Sequence, residues 1–344
     1  MREGEGFVAP EGFRMPAEDE PHAATWMCLP GRGDVWGRDL DAVQASIADI
    51  ALTVAAFEPV RLLVRPRDLD RAADLVGSDV ELIEAPVDDL WARDTLPLFL
   101  VSDDGELAAG RVAFNGWGRK QVHDGDATLA ALVADLVGVP LYDSGLVGEG
   151  GGLETDGAGT LLAARSSWVN DNRNPGIDER EIAGRLVALL GAERLLWVDG
   201  LAGADITDGH IDTIARFVDR STIINELPSY VEPGEVWYDL AVRTGAELET
   251  MATLDGEPYQ LVTLRQPEVV RRNDDEFLSS YVNYYVCNGA VIVPEFGDAV
   301  ADGEAAELIG AYHPGREVVA LAVDPVAAGG GGIHCATQQQ PVSS

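Results

Sequence analysis

The sequence predicts an α/β fold built from a strand–strand–helix–strand unit that recurs about five times within 344 residues. Short β-rich runs alternate with amphipathic helical stretches, which is the alternation expected of an α/β protein. Each long helical stretch is followed within a few residues by an apolar run of strand type. Five such units would close into a ring whose loops meet near one axis, although the same pattern permits a doubly wound sheet.

The helices are predicted where apolar residues recur at helical spacing and where Asp or Pro suits a first turn. They cover residues 39–57, 68–76, 126–137, 178–190, 233–249 and 302–312. The strands that follow them are predicted at 60–64, 140–142, 194–198, 259–264 and 318–323, and those that precede them at 96–101 with 111–114, 160–165, 214–218 with 222–225, and 281–286 with 290–294. No Ser/Pro-rich linker divides the chain, so residues 1–344 are interpreted as a single domain.

The charge balance is strongly acidic. Asp and Glu number 59 against 24 Lys and Arg, a net charge of −35, and Lys120 is the only lysine. Such a surface repels nucleic acid and anionic membranes, and at low salt its self-repulsion weakens the compact state. Because molar salt shortens the screening length to about 3 Å, we expect a halophilic protein from a salt-rich cytoplasm.

Membrane and export segments are not predicted. The most apolar stretch, residues 47–64, is interrupted by Asp49, Glu58 and Arg61, and the first fourteen residues lack the apolar core of a signal peptide. We therefore expect a cytoplasmic location. The three cysteines cannot form a fully paired disulfide framework, which directs attention to a free thiol.

The best candidate for a reactive thiol is Cys335. It follows four consecutive glycines, which allow a sharp bend or a close approach of the backbone to a ligand, so Gly332 is assigned to the substrate side. A cysteine at the end of such a turn is poorly placed for core packing. Since a thiol is weakly reactive at neutral pH, it needs a partner. His334 is its neighbour, but adjacent side chains usually diverge, which makes it a weak candidate.

The better partner is His210, in the sequence DGHID at 208–212. In an extended segment residues two apart share a face, so His210 and Asp212 are expected at one site. Asp212 would hold the imidazole or bind a cation beside it. A zinc site built from these groups and a cysteine is the metal alternative, but the histidines lack the close pairing of common zinc motifs. A buried, purely structural His210 is the other alternative.

Two further acidic residues stand out. Asp94 follows Arg93 at a predicted strand start, where a surface salt bridge is the simplest interpretation. Glu149 lies among glycines and therefore has few neighbours to pair with, so it is predicted to face a ligand. Trp91 and Trp117 could present aromatic faces to a flat cation, although isolated tryptophans are more often core residues.

Several segments together resemble the agmatine deiminase and bacterial peptidylarginine deiminase family of the pentein superfamily. They occur in family order as MPAEDEPH (15–22), DLWARD (89–94), FNGWG (114–118), EGG (149–151), NDNRNP (170–175), DGHID (208–212), NGAVIVP (288–294) and residues 329–341. The resemblance implies a five-bladed, pseudo-symmetric α/β propeller. It also implies that no metal or organic cofactor is needed and that the partner is a small cationic guanidino substrate. A homo-oligomer is compatible with the resemblance.

The resemblance implies a role for each candidate residue. Cys335 resembles the family nucleophile and His210 the general acid–base. Asp94 and Asp212 resemble the carboxylates that grip the guanidinium, and Glu149 resembles a neighbour of the catalytic group. Trp91 and Trp117 line the substrate channel in similar proteins. The implied reaction is hydrolysis through a covalent thiouronium on the cysteine, with agmatine as the leading substrate.

One position departs from the family pattern. Many agmatine-specific relatives carry a glutamate four residues before the histidine, where this chain has Ile206, which cannot pair with an ammonium group. A deiminase of another guanidino compound, such as an arginine derivative or a guanidino acid, therefore stays open. An amidinotransferase and a catalytically silent guanidinium-binding protein are the further alternatives.

Overall fold

The computed structural model describes residues 11–272, 274 and 276–343, and its strands form five separate sheets. The strands are β1 Phe13–Arg14, β2 His22–Cys28, β3 Val60–Val64, β4 Glu81–Glu84, β5 Leu98–Ser102, β6 Leu107–Ala113, β7 Leu141–Val147, β8 Leu153–Thr155, β9 Thr160–Ala164, β10 Arg194–Val198, β11 Ala215–Asp219, β12 Thr222–Leu227, β13 Gln260–Arg265, β14 Tyr285–Val286, β15 Ala290–Glu295, β16 Glu317–Ala322 and β17 Thr337–Pro341. Five sheets exclude the alternative of one doubly wound sheet.

Every sheet contains the same core of three strands. The first strand is antiparallel to the second, and the second is parallel to the third. The five sets are β5–β6–β7, β8–β9–β10, β11–β12–β13, β14–β15–β16 and β17–β2–β3, with β1 and β4 added at sheet edges. A parallel pair needs a crossover, and in all five sets a helix supplies it. The predicted repeat of five ββαβ units is therefore present.

The helices are α1 Gly33–Trp36, α2 Leu40–Ala55, α3 Leu69–Val76, α4 Ala92–Thr95, α5 Gly116–Arg119, α6 Leu129–Val137, α7 Arg165–Trp168, α8 Glu179–Leu190, α9 Val236–Glu249, α10 Ala299–Tyr312 and α11 Asp324–Ala327. The crossovers are α2, α6, α8, α9 and α10. No helix in the described part of the chain combines the length and the apolar character required to cross a membrane.

Local chemistry sets the helix ends. The Asp178 carboxylate accepts the N–H of Glu181 at 2.9 Å at the start of α8, and Gly191 ends the helix in the left-handed region at φ 62°. The prediction that α10 begins at Asp302 is wrong by about one turn. Asp298 caps this helix instead, accepting the N–H of Val300 at 3.2 Å.

A ring of five short segments lies where the first strand of each unit begins. These segments are α4, the 3₁₀ turns Gly150–Gly152, Ile211–Thr213 and Tyr281–Asn283, and residues 332–335. Each one contacts the next, and the backbone N–H of Arg93 closes the ring by donating to the Cys335 carbonyl at 3.1 Å. Equivalent positions in the repeat therefore meet at one place, as a ring of units requires.

Five strands and one turn differ from the prediction. Strands β1, β2, β4, β8 and β17 were not predicted. Of these, β2 and β17 pair antiparallel and join the two ends of the described chain in one sheet. The sequence of β17 is mostly polar, which is not typical of a strand whose residues are all buried. The predicted strand 281–286 is wrong over its first half, because residues 281–283 form a 3₁₀ turn and only β14 is extended.

Candidate active site

The Cys335 thiol lies buried in the ring, at the end of the glycine run. Its Sγ accepts an N–H from the Asn283 side chain at 3.1 Å and lies 3.5 Å from Oδ2 of Asp212. Burial raises the pKa of this thiol well above its ordinary value, and the carboxylates of Asp212 and Asp94 raise it further. This environment favours the neutral thiol over the thiolate.

The Asp212 carboxylate is fully buried and uses only one of its oxygens. Its Oδ2 faces Nδ1 of His334 at 2.8 Å, whereas Oδ1 has no hydrogen-bond partner. Burial would raise the pKa of Asp212, but the hydrogen bond and charge of His334 hold it below the usual range. Since unpaired buried acceptors are costly, Oδ1 is a position at which a ligand donor would be stabilised.

Asp94 supplies the second carboxylate from α4, a short helix rather than the predicted strand start. Its Oδ1 accepts the backbone N–H of Gly151 at 3.0 Å, and its Oδ2 accepts the indole N–H of Trp117 at 2.9 Å. Burial raises the pKa of Asp94 to about 6, so it is mostly ionised at neutral pH. The predicted surface salt bridge with Arg93 is wrong, because both side chains are buried and Arg93 pairs with Glu18 at 3.1 Å.

His210 is held by two carboxylates. Its Nε2 lies 3.3 Å from Glu149 and its Nδ1 lies 3.7 Å from Asp94. Burial would lower the pKa of His210, but the charges of Asp94, Glu149 and Asp212 raise it to about 9. The expected pairing of this imidazole with Asp212 is not the one observed. Asp212 lies within the 3₁₀ turn Ile211–Thr213, not in an extended segment, and bonds to His334.

The prediction that Glu149 has few neighbours to pair with is wrong. Nε of Arg173 lies 2.9 Å from both of its oxygens, and the same guanidinium donates to Asp208 at 2.7 Å. Arg173 belongs to the segment NDNRNP, for which the sequence suggested no role. This buried pair fixes the carboxylate that orients His210.

The candidate groups converge around Gly151. A Cβ built on this glycine would lie 2.7 Å from Nδ1 of His210, 2.8 Å from Oδ1 of Asp94 and 3.1 Å from Oδ2 of Asp212. Since Cys335 Sγ lies 3.5 Å from that same Oδ2, the thiol, the imidazole and both aspartates share one small region. The structure therefore brings together the sulfur, the base and the carboxylates that the sequence singled out.

Glycines and tryptophans form the walls. A Cβ on Gly332 would lie 2.5 Å from Oδ1 of Asn283, and one on Gly331 would lie 2.1 Å from the Trp91 ring. Both glycines thus permit close packing beside the thiol; contact of Gly332 with a substrate stays a prediction. Trp117 is buried and takes up a left-handed backbone conformation with φ 52°, which directs its indole to Asp94.

Ile206 packs, partly buried, against the apolar cluster that contains Trp91, Trp117 and Cys335. Its carbonyl accepts from Nζ of Lys120 at 2.9 Å, and Lys120 also pairs with Asp208 at 2.8 Å. The chain's only lysine thus holds the backbone beside the site. The side of the candidate site formed by Ile206 is apolar.

Two site residues were missed by the sequence reasoning. Asn283 contacts the thiol directly, and it lies just before the first strand of its unit, as Asp94, Asp212 and Cys335 do. That equivalence is the signal that could have found it. His334 was set aside because neighbouring side chains diverge, yet both it and Cys335 contact Asp212.

Metal ligation was the remaining alternative for these groups. Within residues 11–272, 274 and 276–343, no group of three or more His, Cys, Asp or Glu side chains has an arrangement that could hold a metal ion. All three cysteines are free and buried.

Comparison with known proteins places the chain in a family. The family described as Porphyromonas-type peptidyl-arginine deiminase matches residues 14–341. A Legionella pneumophila protein named "Putative agmatine deiminase" is 36% identical over 96% of both chains, and a Streptomyces coelicolor protein of the same name is 37% identical over 96% of this chain and 99% of its own.

Solved structures agree with this assignment. Agmatine deiminase of Enterococcus faecalis superposes with a TM-score of 0.90 at 28% identity over 96% of both chains. An amidinotransferase from Microseira wollei, at 11% identity and a TM-score of 0.54 over 97% of this chain and 98% of its own, shares the fold alone. The pentein fold predicted from the sequence is confirmed. The chain is an enzyme that belongs to the Porphyromonas-type peptidyl-arginine deiminase family.

Proposed function

We propose that the protein hydrolyses a guanidinium group, with agmatine as the leading substrate and N-carbamoylputrescine and ammonia as products. The observation that carries this proposal is the convergence of the Cys335 thiol, the His210 imidazole and the Asp94 and Asp212 carboxylates around Gly151. The names of the whole-length relatives support agmatine as the substrate.

Binding follows from charge and geometry. A guanidinium is planar and cationic, and its parallel N–H groups match carboxylates bidentately. Asp212 offers the unpartnered Oδ1, and Asp94, with its pKa of about 6, offers a second anionic edge near pH 7. The bound cation then offsets the negative potential that suppresses ionisation of Cys335, so the thiolate forms beside the carbon it attacks.

The first chemical step forms the bond between Sγ and the guanidinium carbon and breaks one C–N bond. His210, cationic below its pKa of about 9, donates a proton to the departing nitrogen, which leaves as ammonia. A thiouronium remains on Cys335. The Asn283 amide, 3.1 Å from Sγ, stabilises the thiolate before attack.

The second step is hydrolysis. Neutral His210 takes one proton from water, the new oxygen bonds to carbon, and the C–S bond breaks to release the thiolate. The remaining hydroxyl proton passes to the thiolate, which leaves the ureido product and restores the thiol. Guanidinium plus water thus becomes a ureido compound plus ammonium, because the proton lost by the thiol on substrate binding is taken up by ammonia. The chain's own residues supply every group in both steps.

The decisive experiment is a screen for ureido product and ammonia over agmatine, arginine, acyl-arginines and short guanidino acids, at low and high salt. We expect agmatine to be converted without an added amine, and Cys335→Ala to lose the activity. Equal ammonia release by wild type and Cys335→Ala would contradict the proposal. Transfer of the amidino group to an added amine would identify an amidinotransferase, and tight binding without turnover a guanidinium-binding protein.

One observation favours a substrate with a less cationic tail as the second candidate. Ile206 adds an apolar side chain to the cluster around Trp91 and Trp117 and cannot compensate an ammonium group. Ile206→Glu is expected to improve agmatine use relative to guanidino acids. Unchanged relative kcat/KM values would show that position 206 does not contact the tail.

A further inference from the structure

A buried chain of alternating charges runs away from the thiol, behind Asp212. The His334 ring lies between two carboxylates, with Nδ1 2.8 Å from Oδ2 of Asp212 and Nε2 2.9 Å from Oε2 of Glu18. Glu18 in turn pairs with Arg216 at 2.9 Å and with Arg93 at 3.1 Å. None of these groups takes part in the reaction described above, apart from Asp212.

The charge on the ring follows from hydrogen-bond counting. A neutral imidazole has one donor and one acceptor nitrogen, whereas two facing carboxylates offer only acceptors. Burial would raise the pKa of Glu18, but the charges of Arg216, His334 and Arg93 hold it well below the usual range. Both nitrogens of His334 face carboxylate oxygens, at 2.8 and 2.9 Å, and only a ring with a proton on each nitrogen can donate to both.

The surroundings of both groups are consistent with this charge. Asp212 is faced by the thiol of Cys335 and by the charges of His210, Arg93 and Asp94. His334 is faced by Glu18, by Asp212 and, at 3.8 Å, by Glu154. Carboxylates thus surround His334, while the buried cations nearest to it, Arg93 and Arg216, are already engaged by Glu18.

We propose that His334 is a positioning residue: as an imidazolium fixed between Glu18 and Asp212, it holds Asp212 as a carboxylate with Oδ1 free for a guanidinium. The inference rests on the proposed binding of a guanidinium at this site. It gives a role to two parts of the sequence that the mechanism leaves unused, the His334 beside the thiol and the segment MPAEDEPH that carries Glu18.

The geometry explains why the position next to Cys335 can act in this way. Residues 332–337 turn tightly, with backbone N–H groups of Ala336 and Thr337 bonding to the carbonyls of Gly332 and His334 at 3.2 and 3.1 Å. Two neighbouring side chains therefore reach the same Oδ2. That oxygen is fixed by the imidazolium on one side and shared with Sγ on the other, so the carboxylate cannot rotate Oδ1 away from the site without losing both contacts.

The test compares His334→Gln with the matched control His313→Gln. His313 is a buried histidine outside the site, and its ring contacts the Tyr284 hydroxyl at 3.3 Å. For His334→Gln we expect kcat/KM to fall about 10–100-fold, as is common when a partner that orients a primary ligand is removed. We also expect the acidic limb of the kcat/KM pH profile to move to higher pH, because Asp212 loses the neighbouring charge that favours the ionised carboxylate.

A second readout does not depend on turnover. Millimolar guanidinium chloride is used as the probe, and its protection of the fold against heat, read as a rise in melting temperature, is measured from about pH 5 to about pH 9. Protection should weaken at the acidic end in His334→Gln and stay as in wild type in His313→Gln. If no guanidino compound is hydrolysed but this shift appears, the positioning role stands and the proposed reaction fails.

Two outcomes would overturn the inference. One is a folded His334→Gln whose protection and activity keep the wild-type pH dependence. The other is an equal loss of kcat/KM in His334→Gln and His313→Gln, without movement of the acidic limb of the pH profile. That result would mean that His334 only supports the fold. If His334→Gln does not melt cooperatively, Glu18→Gln carries the same test, because it removes the outer carboxylate that keeps the ring charged.

Discussion

Replacing Trp117 by Phe isolates a single hydrogen bond to the Asp94 carboxylate, which the proposed reaction assigns to substrate binding. The substitution removes the indole N–H that donates to Oδ2 of Asp94 at 2.9 Å. It keeps an aromatic ring against Phe114, where the ring centroids are 5.0 Å apart in an edge-to-face contact. Because Phe is no more strained than Trp at φ 52°, the backbone should stay as it is.

The magnitude follows from the burial of the acceptor. A hydrogen bond to a charged group is worth about 1.5–3 kcal/mol, and each 1.36 kcal/mol is a factor of ten. If the Asp94 carboxylate interacts with the substrate cation only when ionised and fixed, kcat/KM should fall roughly 10- to 150-fold. The loss should be greater at about pH 6.5 than at about pH 8.5, because the indole N–H lowers the pKa of Asp94 and its removal raises that pKa above about 6.

The assay is release of ureido product across pH, with Trp26→Phe as the control. Trp26 Nε1 donates to Gln340 at 2.9 Å, so its loss removes a buried indole bond without removing a bond to Asp94. Trp117→Phe with wild-type kcat/KM at both pH values would refute the argument. An equal loss in both variants at every pH would assign the effect to stability.

Three further predictions follow from charge and packing. Gly151→Ala should abolish activity while leaving the fold intact, since the added methyl would lie within 3.1 Å of His210, Asp94 and Asp212; activity within tenfold of wild type would contradict the geometry. Alkylation of Cys335 by iodoacetamide, followed by peptide mass, should be slow at neutral pH and accelerate through the alkaline range, because the thiol pKa lies well above its ordinary value; a rate independent of pH from about pH 6 would reveal a preformed thiolate. The melting temperature should be higher in about 2 M than in about 0.1 M KCl, because screening removes repulsion from a net charge of −35; equal values would exclude a salt requirement.

The sequence predicted those site residues whose role only one or a few amino-acid types can fill. The glycine run before Cys335 and the spacing of His210 and Asp212 are visible without coordinates, and the helix and strand periods gave the five units. The pairing of Glu149 with Arg173 could not be predicted, because the two are 24 residues apart and nothing local links them. Long-range pairs of this kind depend on how the loops meet.

The remaining errors have local physical causes. Aromatic and β-branched residues at 281–286 favour a strand, but tertiary contacts hold residues 281–283 in a 3₁₀ turn that delivers Asn283 to the thiol. The glutamines of β17 lack the apolar alternation of a strand, yet Gln339 and Gln340 are buried and receive bonds from Arg93, Trp26 and Arg61. Propensity describes neither case, because partners distant in sequence decide the outcome.

The pairing of β17 with β2 makes the position of Cys335 depend on both ends of the described chain. Cys335 lies two residues before the strand that registers Thr337 opposite Met27. A molecule shortened before residue 337, or a nascent chain that has not yet produced it, lacks the strand that anchors this thiol. Under the proposed function, a half-made protein therefore cannot begin modifying guanidinium compounds.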